Sequence, residues 1–160
     1  MEESNRKCGA ARVCHPRGSP AGTTVEIRNT IGDITLAAPL THVTIDATLG
    51  DIDVRSAQID HLDARITVTG SIHGEAPTSS NITLKTGDAD LHVTRPGTHT
   101  IRTTTGDVQL RVDPALVVGL NHHIGSGDLT SELTTAATDP VNTYLYLSSE
   151  TGDITVKYAR

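Results

Sequence analysis

Carboxylates recur at one fixed place in this chain. Asp33, Asp51, Asp88, Asp107, Asp128 and Asp153 each follow a glycine: Gly32, Gly50, Gly87, Gly106, Gly127 and Gly152. Gly70-Ser71 repeats the dipeptide with a hydroxyl in place of the acid. A ladder of carboxylates could collect calcium, which takes about six to eight oxygen ligands, several of them usually charged. Serine is a poor cation ligand but a good acceptor for a turn amide, and glycine-rich calcium repeats space their acids far more densely. The pattern therefore predicts structural corners at these fourteen residues. Glycine makes the bend and the next side chain accepts a turn amide. No metal and no cofactor is expected.

Other reactive types are scattered. The histidines are His15, His42, His61, His73, His92, His99, His122 and His123, and no pair has zinc-site spacing with matching Cys or carboxylate partners. They are expected to be solvated or half-buried. Cys8 and Cys14 fit no zinc or redox motif. Ser126, in Gly125-Ser126-Gly127, resembles a nucleophile fragment. Ile124 and Asp128 stand where the nucleophile elbow requires glycines, so it reads as one more corner. No catalytic residue is assigned, and a non-enzymatic protein is expected. Tyr144, Tyr146 and Tyr158 are the only aromatics besides histidine. They read as a cap on a final coil or as an interaction edge.

Composition narrows the classes. The chain has 160 residues, 13 Lys and Arg against 19 Asp and Glu, a formal net charge of -6, and neither Trp nor Phe. Nucleic-acid binding is disfavoured, because no cluster of cations serves phosphates and too few aromatics serve base stacking. No apolar run is long enough for a transmembrane helix. Residues 1–22 are polar and rich in Arg, Pro and Gly, which predicts a disordered tail without the apolar stretch of a secretory signal. Residues 23–160 are expected to form one β-repeat domain, either cytoplasmic or associated with the cell envelope.

The elements that position the corners follow from the same beat. The seven Gly-Asp or Gly-Ser dipeptides recur about every 20 residues, as expected of a repeat architecture. After them come Ile34-Thr35-Leu36, Ile52-Asp53-Val54, Ala89-Asp90-Leu91, Val108-Gln109-Leu110 and Ile154-Thr155-Val156, the apolar–polar–apolar period of a half-buried strand. Ile27, Ile45, Ile82, Ile101 and Leu147 recur five residues before the glycine. The third unit is slipped, with Ala64, Ile66 and Val68 in the apolar phase, and the sixth is weakest, with Leu120 and Ile124 flanking His122-His123. Pro39, Pro77, Pro96, Pro114 and Pro140 fall between units, where no ladder amide is needed. The fold class is all-β. A sandwich of hairpins does not need identical corners, whereas a β-solenoid does, because each coil sits on a copy of itself. A β-solenoid of about seven coils is expected, a rod of about 34 Å at about 4.8 Å per coil. One outward position varies from unit to unit: Arg28, Asp46, Thr83, Arg102, Ser148. That variation argues against a regular ice-binding Thr array.

The Thr-Gly-Asp-Ile/Val corners resemble a bacterial adhesin-like family of β-strand-repeat proteins. The resemblance is carried by residues 112–129, with Pro114 before Gly125-Ser126-Gly127-Asp128-Leu129, and by the closing stretch from Leu145 to Val156. It covers about residues 23–158. It implies a β-solenoid-like fold, no known catalytic residues and association with the cell envelope. The leading expectation is a scaffold or interaction module, with protein partners or self-association through solenoid ends or edge strands. The alternatives are a carbohydrate-binding or carbohydrate-cleaving β-helix, which requires a groove of Asp, Glu and Arg from neighbouring coils, and a self-polymerising structural solenoid.

Overall fold

Alternating apolar residues need a partner sheet for their buried face, and short strands need neighbours to satisfy their amides. A computed structural model describes residues 24–37, 39–55, 58–133 and 140–159. The N-terminal tail expected at 1–22, with Cys8 and Cys14, lies outside the described residues. The chain runs β1 (Thr24–Ile31), β2 (Ile34–Leu36), β3 (Leu40–Leu49), β4 (Ile52–Val54), β5 (Ile59–Thr69), β6 (Ile72–Glu75), β7 (Ser79–Thr86), β8 (Ala89–Val93), β9 (Gly97–Thr105), β10 (Val108–Val112), β11 (Val118–Ser126), β12 (Leu129–Ser131), β13 (Thr143–Thr151) and β14 (Ile154–Tyr158). Each coil is one long strand, a Gly-Asp or Gly-Ser corner and one shorter strand. The long strands form one parallel sheet and the short strands another, seven strands in each. The protein is a β-solenoid, as the repeat predicts.

The order of coils departs from the order of the chain. The long sheet reads β1-β3-β5-β7-β9-β13-β11 and the short sheet β12-β14-β10-β8-β6-β4-β2. The last coil in sequence is inserted between the fifth and the sixth. Burial gives the reason. In the insert, Leu145, Leu147, Ile154 and Val156 are at most 2% exposed. The sixth coil offers poorer material. Its His122 aligns with Leu147, in the column that runs Ile27, Ile45, Ala64, Ile82, Ile101, Leu147, and its Ser131 aligns with Val156. Placing the aliphatic coil inside gives its residues neighbours on both sides, worth about 1.5–3 kcal/mol for each large side chain fully buried. The sixth coil takes the outer place, where a polar His122 is solvated. The tyrosines therefore cap no end: the coil that holds them is penultimate.

The third unit also differs. Between Ala47 and Leu49 of β3 the register to β5 shifts, from Ala47↔Ile66 to Leu49↔Thr69. The extra residue is a bulge, which turns the following side chains to the other face. Ala64 and Ile66 are buried as expected, but Val68 is 44% exposed. The apolar phase ends at Ile66.

Candidate functional site

The corners come first, because they carry the strongest motif. Asp33, Asp51, Asp88, Asp107 and Asp153 each accept the amide of the corresponding residue in the neighbouring coil. Asp33 Oδ1 accepts Asp51 N–H at 3.1 Å, and Asp51 Oδ1 accepts Ser71 N–H at 2.8 Å. Asp88, Asp107 and Asp153 continue the ladder to the amides of Asp107, Asp153 and Asp128, each at 2.8 Å. Ser71 Oγ substitutes, accepting Asp88 N–H at the longer distance of 3.3 Å. A charged acceptor makes the shorter and stronger bond. The ladder passes from 107 to 153 to 128, which repeats the inserted order of coils. Backbone bonds run beside it, as in Gly106 N–H to the Thr151 carbonyl and Gly152 N–H to the Ser126 carbonyl, each 2.9 Å. Ser126 is thus part of a corner.

Glycine is required here by space as well as by dihedral angle. At Gly87 φ is +143° and an added Cβ would lie 1.9 Å from the Gly70 carbonyl oxygen. Gly32, in the first coil, has φ +129° but its Cβ would meet nothing nearer than Asn29 Nδ2 at 3.4 Å. Gly70 is absent from the positive-φ glycines and is demanded by space alone, with Gly50 O 2.0 Å from its Cβ position. With their acids and glycines committed to stacking, the corners are architecture.

The interior holds one reactive-looking pair. Ser80 Oγ and His99 Nδ1 lie 2.9 Å apart in adjacent coils. They occupy a column whose other members include Val43, Leu62 and Leu145. His99 was expected among the solvated or half-buried histidines, but it is 1% exposed and Ser80 is 3% exposed. A hydroxyl beside an imidazole is the beginning of a nucleophile–base pair, yet no substrate reaches this one. Burial lowers the His99 pKa from 6.5 to about 4, so the ring is neutral at pH 7. Its Nε2 has no hydrogen-bond partner among the described residues. The least costly arrangement keeps the proton on Nδ1, donating to Ser80, and leaves only a lone pair unmatched.

Chemistry open to solvent lies on the two outer faces. On the short sheet the arginines are paired: Arg55 with Asp53 at 2.6 Å, and Arg111 with both carboxylate oxygens of Asp90 at 3.0 Å. The long sheet differs. One row across it runs Arg28, Asp46, Arg65, Thr83, Arg102, Ser148, His123. Arg28 pairs with Glu26, but Arg65, Arg102 and the nearby Lys85 enter no ion pair among the described residues. Small residues alternate with long ones in this row, so depressions form over Thr83 and Ser148. The first, of about 370 Å³, is walled by Arg65, Lys85 and Thr104. The second, of about 510 Å³, is walled by Arg102, His123, Tyr146 and Glu150. They share Thr83, Leu84 and Thr104 and form one open trough.

Arg65 and His123 were missed in the sequence. Six members of the row stand four residues before their corner glycine, but Arg65 stands five before Gly70, because the bulge adds a residue. The tyrosines are not brought together. Tyr144 and Tyr146 face outward on β13, 46% and 44% exposed, and Tyr144 lies against Gly119, whose added Cβ would be 3.4 Å from the ring. Tyr158 is on the other sheet, half-buried and in register with Val112. His42 and His61 stack at 4.7 Å at the far end of the long sheet. Among the described residues no three His, Cys, Asp or Glu side chains converge as a metal site, and no helix is long and apolar enough to cross a membrane.

Residues 19–160 match the family described as Toastrack DUF4097. No curated protein and no solved structure matches the chain.

Proposed function

The chain belongs to the Toastrack DUF4097 family, bacterial domains of β-repeat fold, and from that premise we propose that it is a non-enzymatic scaffold displaying a binding face, with an adhesin-like role at the cell envelope. One observation carries the reading: what recurs from coil to coil is absorbed by stacking, while the long sheet's outer row varies and leaves Arg65 and Arg102 without an ion pair among the described residues. A rigid stack that holds different side chains about 4.8 Å apart suits recognition of an extended partner. The end formed by the sixth coil suits partner strands less well, since His122 and Ser131 break its aliphatic columns.

Co-sedimentation of the full chain with insoluble bacterial envelope material tests this. Thr83→Glu with Ser148→Glu places acids in the long-sheet trough. Gln109→Glu with Thr155→Glu makes the same charge change on the short sheet. Binding by the parent and the short-sheet variant, lost in the long-sheet variant, is expected. Absent binding, equal binding by all three, or soluble fragments released with time overturns the proposal.

A further inference from the structure

We infer that the long-sheet trough binds an acidic glycan, with a carboxylate-bearing sugar over Thr83 and a neutral sugar ring beside Tyr146. This rests on the scaffold reading and names its ligand class. Arg65 and Arg102 stand on either side of Thr83, two coils apart, or about 9.6 Å at the spacing of parallel strands. Lys85 stands two residues beyond Thr83 on the same strand. Three cations thus surround a hydroxyl floor, and none is held by a carboxylate of the described residues. Arginine takes carboxylate oxygens two at a time through its planar fork, which fixes an acidic sugar in orientation.

The second depression has another character. Tyr146 offers an exposed ring, and Glu150 and Ser148 offer acceptors and a hydroxyl. A sugar ring presents apolar C–H faces to an aromatic and hydroxyls to a carboxylate, whereas a second anion would be repelled by Glu150. The two depressions are continuous, so one oligomer can fill both.

Other ligands fit less well. A uniform polyanion meets Glu150 at one end, and Asp46 and Asp63 beside Arg65 at the other, on a chain of net charge -6. A peptide adding as a strand needs a free edge. Most of the trough instead lies over β5, β7, β9 and β13, strands already paired on both sides, and it reaches the edge strand β11 only at its His123 end.

Calorimetric titration of the full chain with a tetramer that alternates glucuronate with neutral N-acetylglucosamine tests the inference, beside a neutral glucose tetramer and tetrapolyphosphate. Binding of the uronate is expected, weakening as salt rises, and at least about tenfold tighter than that of the neutral tetramer. Each exposed cation should contribute about two- to fivefold, so Arg65→Gln with Arg102→Gln should cost about tenfold. Tyr146→Ala should cost a few-fold, and Arg111→Gln on the short sheet should cost nothing. Circular dichroism of each variant confirms its fold. No uronate binding, uronate binding that survives the double substitution, or equal binding of tetrapolyphosphate overturns the inference. If it fails while envelope binding still depends on the long sheet, only the ligand class is wrong. If envelope binding fails too, the scaffold reading falls with it.

Discussion

Replacing Gly87 and Gly32 by alanine separates two demands that the corner makes. Both glycines sit at strongly positive φ, where an L side chain is strained by about 1–3 kcal/mol. Only Gly87 lies on another coil. Its new Cβ would approach the Gly70 carbonyl oxygen to 1.9 Å, against backbone that cannot rotate away. Relieving that contact means pushing the third and fourth coils apart at the bonds from Gly70 N–H to the Thr86 carbonyl, from Ile72 N–H to the Asp88 carbonyl and from Asp88 N–H to Ser71 Oγ, 2.9–3.3 Å long. Losing two or three such bonds costs about 2–4 kcal/mol beyond the strain. Gly87→Ala should thus lose about 3–7 kcal/mol, a large part of a typical stability of about 5–15. Gly32→Ala should lose about 1–3. At about 2–4 °C per kcal/mol for a chain of this size, thermal melts followed by circular dichroism should show Gly32→Ala down by about 2–12 °C. Gly87→Ala should fall about twice as far or fail to fold. Equal losses would refute the stacked-corner account, because strain alone would then explain both.

Three further outcomes follow from the same packing. Leu147→Ala should cost about 2–5 kcal/mol and Leu120→Ala markedly less, because Leu147 is 2% exposed within the stack and Leu120 is only partly buried in the outer coil; urea denaturation showing the reverse would place the C-terminal coil at the end. Ser71→Asp should stabilise by about 0.5–1 kcal/mol by giving the Asp88 amide a charged acceptor, visible as a higher denaturation midpoint. His99 titrates at about 4 when folded and at 6.5 when unfolded, so its contribution is complete above pH 6.5 and is lost as pH falls through 4, to a total of about 3 kcal/mol. Comparing stability with pH against the Ser80→Ala/His99→Leu double variant isolates that slope, and identical slopes would contradict a buried neutral imidazole.

The corners and most strands were legible in the sequence because each follows from a local rule. Glycine marks the bend, an acceptor follows it, and apolar residues alternate. The inward columns were legible for the same reason wherever units keep the same length. Two features were not. The bulge in β5 changes the count by one, which moved Val68 to the wrong face and hid Arg65 from the outward row. The inserted coil depends on non-local pairing, since successive corner acids on neighbouring coils are 46 and then 25 residues apart at that point. Its traces in the sequence were the long link before β13 and a histidine at an inward position of the sixth unit. Neither states an order of stacking without the energetic comparison of the two coils. The Ser80–His99 pair was equally hidden, because each polar residue lies in a column only once the register is known.

The central claim is that the repeat builds a stack whose long-sheet outer row, and no other surface, does the binding. Backbone amide shifts of the isotope-labelled chain, recorded as the alternating glucuronate–N-acetylglucosamine tetramer is added, test it most directly. Perturbations should cluster at 65–67, 83–85, 100–104 and 146–150 across neighbouring coils, while the corner Gly-Asp amides and the short strands stay in place. Shifts centred on the corners or on the Asp90–Arg111 face, or none at saturating tetramer, would contradict it.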